Sequence, residues 1–236
     1  MILNFFKKPK PRIISNEQNY CYLTDLKIID DQLRQDIAEY AEQCKLNINP
    51  LPGVVSSTYE IDISTANSEL LETARRFNSF NTNKPTELIN YFKRFYLSTE
   101  LDKRILANLP KAFRKSNFEI VLIVTNYGTP LHRDVTDRAI ILCPIKTNDE
   151  ITSFWEVKPE YVDQHEFVLN AFANPDLLEK KLDVVFKPGE SWILNVDKIH
   201  AVEPVALPQN DRVIITFRWF DNTSIDDILK WFDIVK

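Results

Sequence analysis

From Phe118 to Phe220 the chain is a train of short apolar runs broken by turns, and this feature restricts its fold more than any other. Residues 118–125, 131–134, 138–145, 152–157, 184–186, 191–195, 199–205 and 212–220 each read as a strand, rich in β-branched and aromatic residues and bounded by turn formers. Eight short strands with little helix-length pattern between them predict an antiparallel sandwich or jelly roll. The run Ala139-Ile140-Ile141-Leu142-Cys143 is apolar on both faces, as a central strand under a helical layer is. That layer is expected from the first 117 residues. Asp30 to Leu46 carries one apolar stripe (Leu33, Ile37, Tyr40, Ala41, Cys44) and predicts a helix. Further helices are expected from Ser64 or Thr65 to about Phe77, from Thr86 to Leu97, and from Ser98 to a stop before Pro110. Residues 1–20 read as an extended arm, and Thr58 to Ile63 as a strand. Ser224 with Asp227 forms a capping-box pattern that opens a last helix. The expectation is one α+β domain over residues 1–236. It comprises a mainly helical N-terminal layer (1–117) packed on one sheet, a jelly-roll core (118–220) and a C-terminal helix (221–236).

Composition removes several functions. Net charge −5 and pI near 5.4 argue against nucleic acid as a main partner, because phosphate binding needs a basic surface. The three glycines, Gly53, Gly128 and Gly189, exclude a Gly-rich phosphate cradle. Cys21, Cys44 and Cys143 lack metal-type spacing, and an odd count suits a reducing cytoplasm. The opening MILNFFKKPKPR has its charges after a short apolar run, the reverse of a signal peptide. No apolar run approaches membrane-spanning length, so a cytoplasmic chain with no membrane partner is expected.

The chemistry-bearing residues are few. His132 and Asp134 lie two apart in a predicted strand, so both project from one face, about 7 Å apart. His200 arrives 68 residues later, in FKPGESWILNVDKIHAVEP. Two imidazoles and one carboxylate on one face of an octahedron leave three positions open, the donor set of non-haem Fe(II) oxygenases. Glu190 and Asp197 are rival carboxylates, and Asp197 is better suited to orienting a ligand imidazole. Arg212 and Arg218 share one strand face about 20 Å apart and cannot serve the same ligand carboxylate. Asn126, Phe154, Trp155 and Trp192 are candidates for a pocket wall. Residues 158–182, polar and without strand pattern, are expected to lie beside the pocket as a lid; the remaining histidine, His165, falls there as an exposed side chain.

The ordered set resembles the Fe(II)/2-oxoglutarate-dependent oxygenases, and within them the aspartyl/asparaginyl β-hydroxylase and proline-hydroxylase-like branch. The pieces are His132, Asp134, Arg138 and Pro144, then Pro188-Gly189-Glu190-Ser191-Trp192, His200-Ala201-Val202, and Arg212-Val213-Ile214-Ile215. They span residues 118–220. The resemblance implies a double-stranded β-helix holding Fe(II) on His132, Asp134 and His200. It implies 2-oxoglutarate with its distal carboxylate on Arg212, and O2 as the oxidant. It assigns Arg138 to an acid group, of cosubstrate or of substrate. The reaction implied is hydroxylation of an amino acid, or of an Asp, Asn or Pro side chain in a peptide. A non-oxygenase metal cupin of isomerase type and a metal-free jelly-roll binding module are the other classes that such a chain admits.

Overall fold

The computed structural model describes residues 10–46, 57–60, 91–111, 113–125, 128–134, 137–161, 175–203, 211–219 and 223–234. The helices expected over 64–77 and 86–90, the loop over 78–84, Asn126 and His165 lie outside them.

Among the described residues thirteen strands form two sheets. In chain order they are β1 (Arg12–Glu17), β2 (Cys21–Thr24), β3 (Ser57–Glu60), β4 (Tyr91–Tyr96), β5 (Phe118–Thr125), β6 (Thr129–His132), β7 (Ile140–Lys146), β8 (Ile151–Val157), β9 (Leu178–Val185), β10 (Ser191–Leu194), β11 (Ile199–Glu203), β12 (Arg212–Trp219) and β13 (Asp233–Ile234). The large sheet has the order β13-β1-β2-β10-β7-β12-β5-β4-β3, and the small one β6-β11-β8-β9. The eight strands from β5 to β12 divide four and four between the sheets, which is the jelly roll expected from the turn spacing.

Residues alternate across each strand, so the layers can be read from parity. On β12, Val213, Ile215, Phe217 and Trp219 face one core, shared with Leu122 and Val124 of β5 and Ile141 and Cys143 of β7. Two helices cover this face: α1 (Asp31–Leu46) and α2 (Thr99–Asn108). Leu33, Ile37, Ala41 and Cys44, the predicted stripe, are buried there. Asp30 caps α1 by accepting from Leu33 N at 2.8 Å. The second core lies between the sheets: Val121, Ile123, Ile140, Leu142, Trp192 and Ile214 meet Phe154 and Val184. Each fully buried Leu, Ile or Phe contributes about 1.5–3 kcal/mol, and the two cores hold β12 on both faces.

The N-terminal region departs from expectation. Residues 12–24 are not an arm but a hairpin, with Gln18 and Asn19 at positive φ in its turn. Asn tolerates that conformation and Gln rarely does, so the turn was hidden in sequence. β2 then pairs with β10 and extends the jelly roll. Tyr91–Tyr96, expected as helix, is a strand. Its aromatic residues fit either period, and the open edge of β5 decides in favour of the strand. The C-terminal helix is short: α3 (Ile225–Leu229) has the expected capping box. The chain then turns so that β13 pairs in parallel with β1, and Trp231 and Phe232 pack on Phe113 at 4.8 and 5.6 Å. Among the described residues no helix is long and apolar enough to cross a membrane.

Candidate metal centre

Sheet register brings the two histidines together. His200 of β11 sits directly opposite His132 of β6 and Phe154 of β8. Leu131, Ile199 and Ala201 fill the outer core of the small sheet, so His132 and His200 face inward, toward the large sheet. Their ring centroids are 4.3 Å apart. Asp134 comes just after the end of β6 rather than within a strand as expected. Its backbone N–H donates to Val196 O at 3.1 Å, which folds the segment back so that Oδ1 lies 3.5 Å from His132 Nε2. The three ligand atoms lie within 4.8 Å of one another, and no other group among the described residues is so placed.

Two of the donors, His200 and Asp134, are in the protonation states that a cation needs. His200 is buried, and burial, reinforced by neighbouring His132, lowers its pKa to about 4. The ring is therefore neutral near pH 7. Its Nδ1–H donates to Lys198 O at 2.9 Å, leaving the Nε2 lone pair to face the site. Burial would raise the Asp134 carboxyl, but the hydrogen bond from His132 and the nearby His200, His132 and Arg218 more than offset it. The group is held below the usual carboxylate range.

The rival carboxylates are committed elsewhere. Glu190 Oε2 accepts from Lys187 N at 2.8 Å and Trp192 Nε1 at 2.7 Å, closing the turn in which Gly189 has φ +85°. Asp197 does not orient an imidazole, since that task falls to the Lys198 carbonyl; it lies 3.9 Å from Arg133 and 3.7 Å from Arg138.

The arginines separate by position. Arg212, Ile214, Thr216 and Arg218 occupy the inner face of β12. Arg218 pairs with Ile140, at the metal end of β7, and its guanidinium contacts Asp137 through Nε at 2.9 Å and through NH2, with Glu119 at 4.0 Å. Arg212 lies at the far end, opposite Thr125. It is buried, and among the described residues it forms no ion pair or side-chain hydrogen bond. Burial lowers its pKa, and Glu150 partly offsets this. Glu150 itself accepts from Asn148 at 3.0 Å. Thr152, whose strand position is opposite Val202, has a buried hydroxyl without a hydrogen-bond partner among the described residues. Arg138 is half exposed at the metal end, remote from Arg212.

Of the expected wall residues, Phe154 lies beside His200 at 6.1 Å. Trp192 is fixed by Glu190, and Trp155 is on the outer side of the small sheet under Lys180. One wall residue was not foreseen. Tyr20, delivered by the N-terminal hairpin, stacks on Phe154 at 5.3 Å; burial raises its pKa and Glu156 engages its hydroxyl. The expected lid also shrinks: residues 178–182 belong to β9, while 162–174 lie outside the described residues.

No family model and no curated protein matches the sequence. Solved structures do match it in fold. AviO1 from Streptomyces viridochromogenes Tue57 is 11% identical, over 86% of this chain and 91% of its own, with a TM-score of 0.50. A prolyl-4-hydroxylase from Pseudomonas putida is 13% identical, over 85% and 92%, with a TM-score of 0.36. The non-heme alpha-ketoglutarate-dependent epimerase SnoN from nogalamycin biosynthesis is 9% identical, over 85% and 78%, with a TM-score of 0.42. At such identities the likeness is one of fold, and of these three the AviO1 superposition is the one that carries weight.

Proposed function

We propose that the chain is an Fe(II)- and 2-oxoglutarate-dependent oxygenase that hydroxylates an amino acid or an Asp, Asn or Pro side chain of a peptide. The observation that carries this reading is a pairing along the inner faces of the two sheets. A two-histidine, one-carboxylate cluster stands at one end, and a buried guanidinium that forms no ion pair among the described residues, with Glu150 acting on it only from a distance, stands at the other. A jelly-roll binding module gains nothing from burying such a charge, which is costly unless a ligand offsets it.

The residues fit the cofactors. Two imidazole nitrogens and a carboxylate suit Fe(II) and leave positions for a chelating 2-oxo acid and for O2. When bound, iron and 2-oxoglutarate together supply the oxidation of a substrate C–H bond, with release of succinate and CO2. The chain contributes position and charge. His200 is held in one tautomer by Lys198, Asp134 stays ionised, and Arg212 offers a planar fork to the distal carboxylate of the cosubstrate. The Thr152 hydroxyl is a second donor on the inner face toward that end. Phe154 and Tyr20 wall one side and exclude water. A small molecule or a peptide is the expected partner. The cytoplasm is the expected location, which the three unpaired, buried cysteines suit.

The test is an anaerobic Fe(II) titration followed by 2-oxoglutarate and air. One Fe(II) per chain and formation of succinate are expected. Tight metal binding without consumption of 2-oxoglutarate would assign the site to a non-oxygenase cupin, and absence of metal binding to a binding module.

A further inference from the structure

We propose that Tyr20 is a positioning residue of the metal centre: from the tip of the N-terminal hairpin it clamps the turn, residues 195–198, that holds His200. The inference rests on the metal-site reading for its consequence, and on the contacts of the turn for its geometry.

One turn supports two of the three candidate ligands. Lys198 O accepts from His200 Nδ1–H at 2.9 Å, and Val196 O accepts from Asp134 N–H at 3.1 Å. Neither carbonyl can fix its ligand more firmly than the turn itself is fixed. Within the turn Lys198 N–H donates to Asn195 O at 3.2 Å, and Val196 is buried in the core between the sheets. On one side Asp197 N–H donates to Arg138 O at 3.1 Å. On the other the tether comes from near the start of the sequence: Asn195 N–H donates to Tyr20 O at 2.9 Å, and Asn195 Nδ2 reaches Asn19 O at 3.5 Å.

The Tyr20 side chain grips the same turn. Its ring is buried 5.3 Å from that of Phe154, which lies 6.1 Å from His200. Lys198 Nζ stands 5.9 Å from the Tyr20 ring and 3.5 Å from Glu156, whose carboxylate accepts from the Tyr20 hydroxyl. Tyr20 thus touches both the aromatic neighbour of His200 and the residue whose carbonyl selects its tautomer. Tyr22 provides the contrast. It points into the opposite core, under α1, and its hydroxyl donates to Asn19 within the hairpin at 3.0 Å. Packing of the hairpin uses both tyrosines, but of the two Tyr20 is the one that reaches the metal centre. Outer partners of a ligand imidazole decide which nitrogen carries the proton, and disturbing them costs about 10–100-fold in metal affinity.

The test uses the full chain with isotope-labelled histidine nitrogens. In metal-free protein near pH 7 the nitrogen shifts of His200 report its tautomer. Exchange of its Nδ1 proton with water reports how firmly Lys198 O holds it, and Mn(II) affinity is then measured. Tyr20→Leu should speed that exchange and weaken Mn(II) binding, each by about tenfold. Tyr20→Phe, which keeps the ring, should restore most of both, and Tyr22→Phe should change neither. Unaltered exchange in Tyr20→Leu overturns the inference, and so does faster exchange with unchanged Mn(II) affinity. An effect of Tyr22→Phe as large as that of Tyr20→Leu overturns it too, by reducing the clamp to hairpin stability. Should Tyr20→Leu not fold, Lys198→Met decides: it keeps the carbonyl and removes the ammonium from the Tyr20 ring and from Glu156. Faster exchange then supports the clamp, and exchange as in the unaltered chain overturns it. If the unaltered chain binds no Mn(II), the proposed function fails, while the exchange measurement still decides whether Tyr20 holds His200.

Discussion

The two ends of β12 carry the same side chain on the same face and treat it in opposite ways. At the metal end Arg218 is neutralised by Asp137, which is buried, and by Glu119. At the deep end Arg212 is buried with neither ion pair nor side-chain hydrogen bond among the described residues. A fold that needs a buried cation for its own stability surrounds it with acids, as it does at Arg218. On the proposed function, a buried cation that has only Glu150 near it, beyond ion-pair distance, is left for an acid that comes and goes. The comparison therefore separates an arginine held by acids from one that forms no ion pair among the described residues, and the proposed function makes the second the ligand arginine, where sequence alone offers only spacing.

Five substitutions and one titration break or sharpen it. Arg218→Ala strands the Asp137 carboxylate and should cost about 3–5 kcal/mol in denaturant unfolding of the metal-free protein, with weaker metal binding because Asp134 loses a neighbouring charge. Arg212→Ala should leave folding stability nearly unchanged, yet weaken 2-oxoglutarate binding by about 2–5 kcal/mol, more than tenfold, by calorimetry on metal-loaded protein. Arg212→Lys should recover part of that loss, since a point charge replaces a fork. If Arg212→Ala destabilises the ligand-free protein as much as Arg218→Ala does, the distinction collapses.

Acidification tests the triad itself. In the folded chain His200 has a pKa near 4 against an ordinary 6.5. Between these values the unfolded chain binds a proton that the folded chain refuses. Stability of the metal-free protein should therefore fall as pH drops from about 6.5 to 4, by at most about 1.4 kcal/mol per pH unit from this residue. Asp134, held low, adds a loss of the same sign at more acidic pH. His200→Gln should flatten the upper part of that slope. The smallest effect belongs to Thr152→Val. Removing a buried hydroxyl that lacks a partner among the described residues should be neutral or slightly stabilising without ligand, and on the proposed function should cost about 0.5–1.5 kcal/mol in 2-oxoglutarate binding by the same calorimetry.

Much of the core was legible in the sequence. The apolar, β-branched runs Phe118–Thr125 and Arg212–Trp219 mark two neighbouring strands of the large sheet, and the stripe from Leu33 to Cys44 marks α1. The triad was legible because a chain with three histidines gives few ways to assemble one. What stayed hidden depends on distant partners. Arg218 and Asp137 are 81 residues apart, and neither position says that the other neutralises it. Tyr20 reaches the wall only because Gln18 and Asn19 turn the chain back at positive φ. β4 is a strand because β5 offers an edge, and β9 because β8 does. The charged run Glu179-Lys180-Lys181 reads as loop until it lies on the outer edge of a sheet, where charges guard against further pairing.

The central claim is that His132, Asp134 and His200 hold one metal ion, and the most direct measurement is metal stoichiometry under nitrogen. The unaltered chain should bind one Fe(II), or Mn(II) in its place, tightly, and His132→Ala and His200→Ala should each abolish that binding while remaining folded. One tightly bound metal in both variants, as in the unaltered chain, would contradict the account.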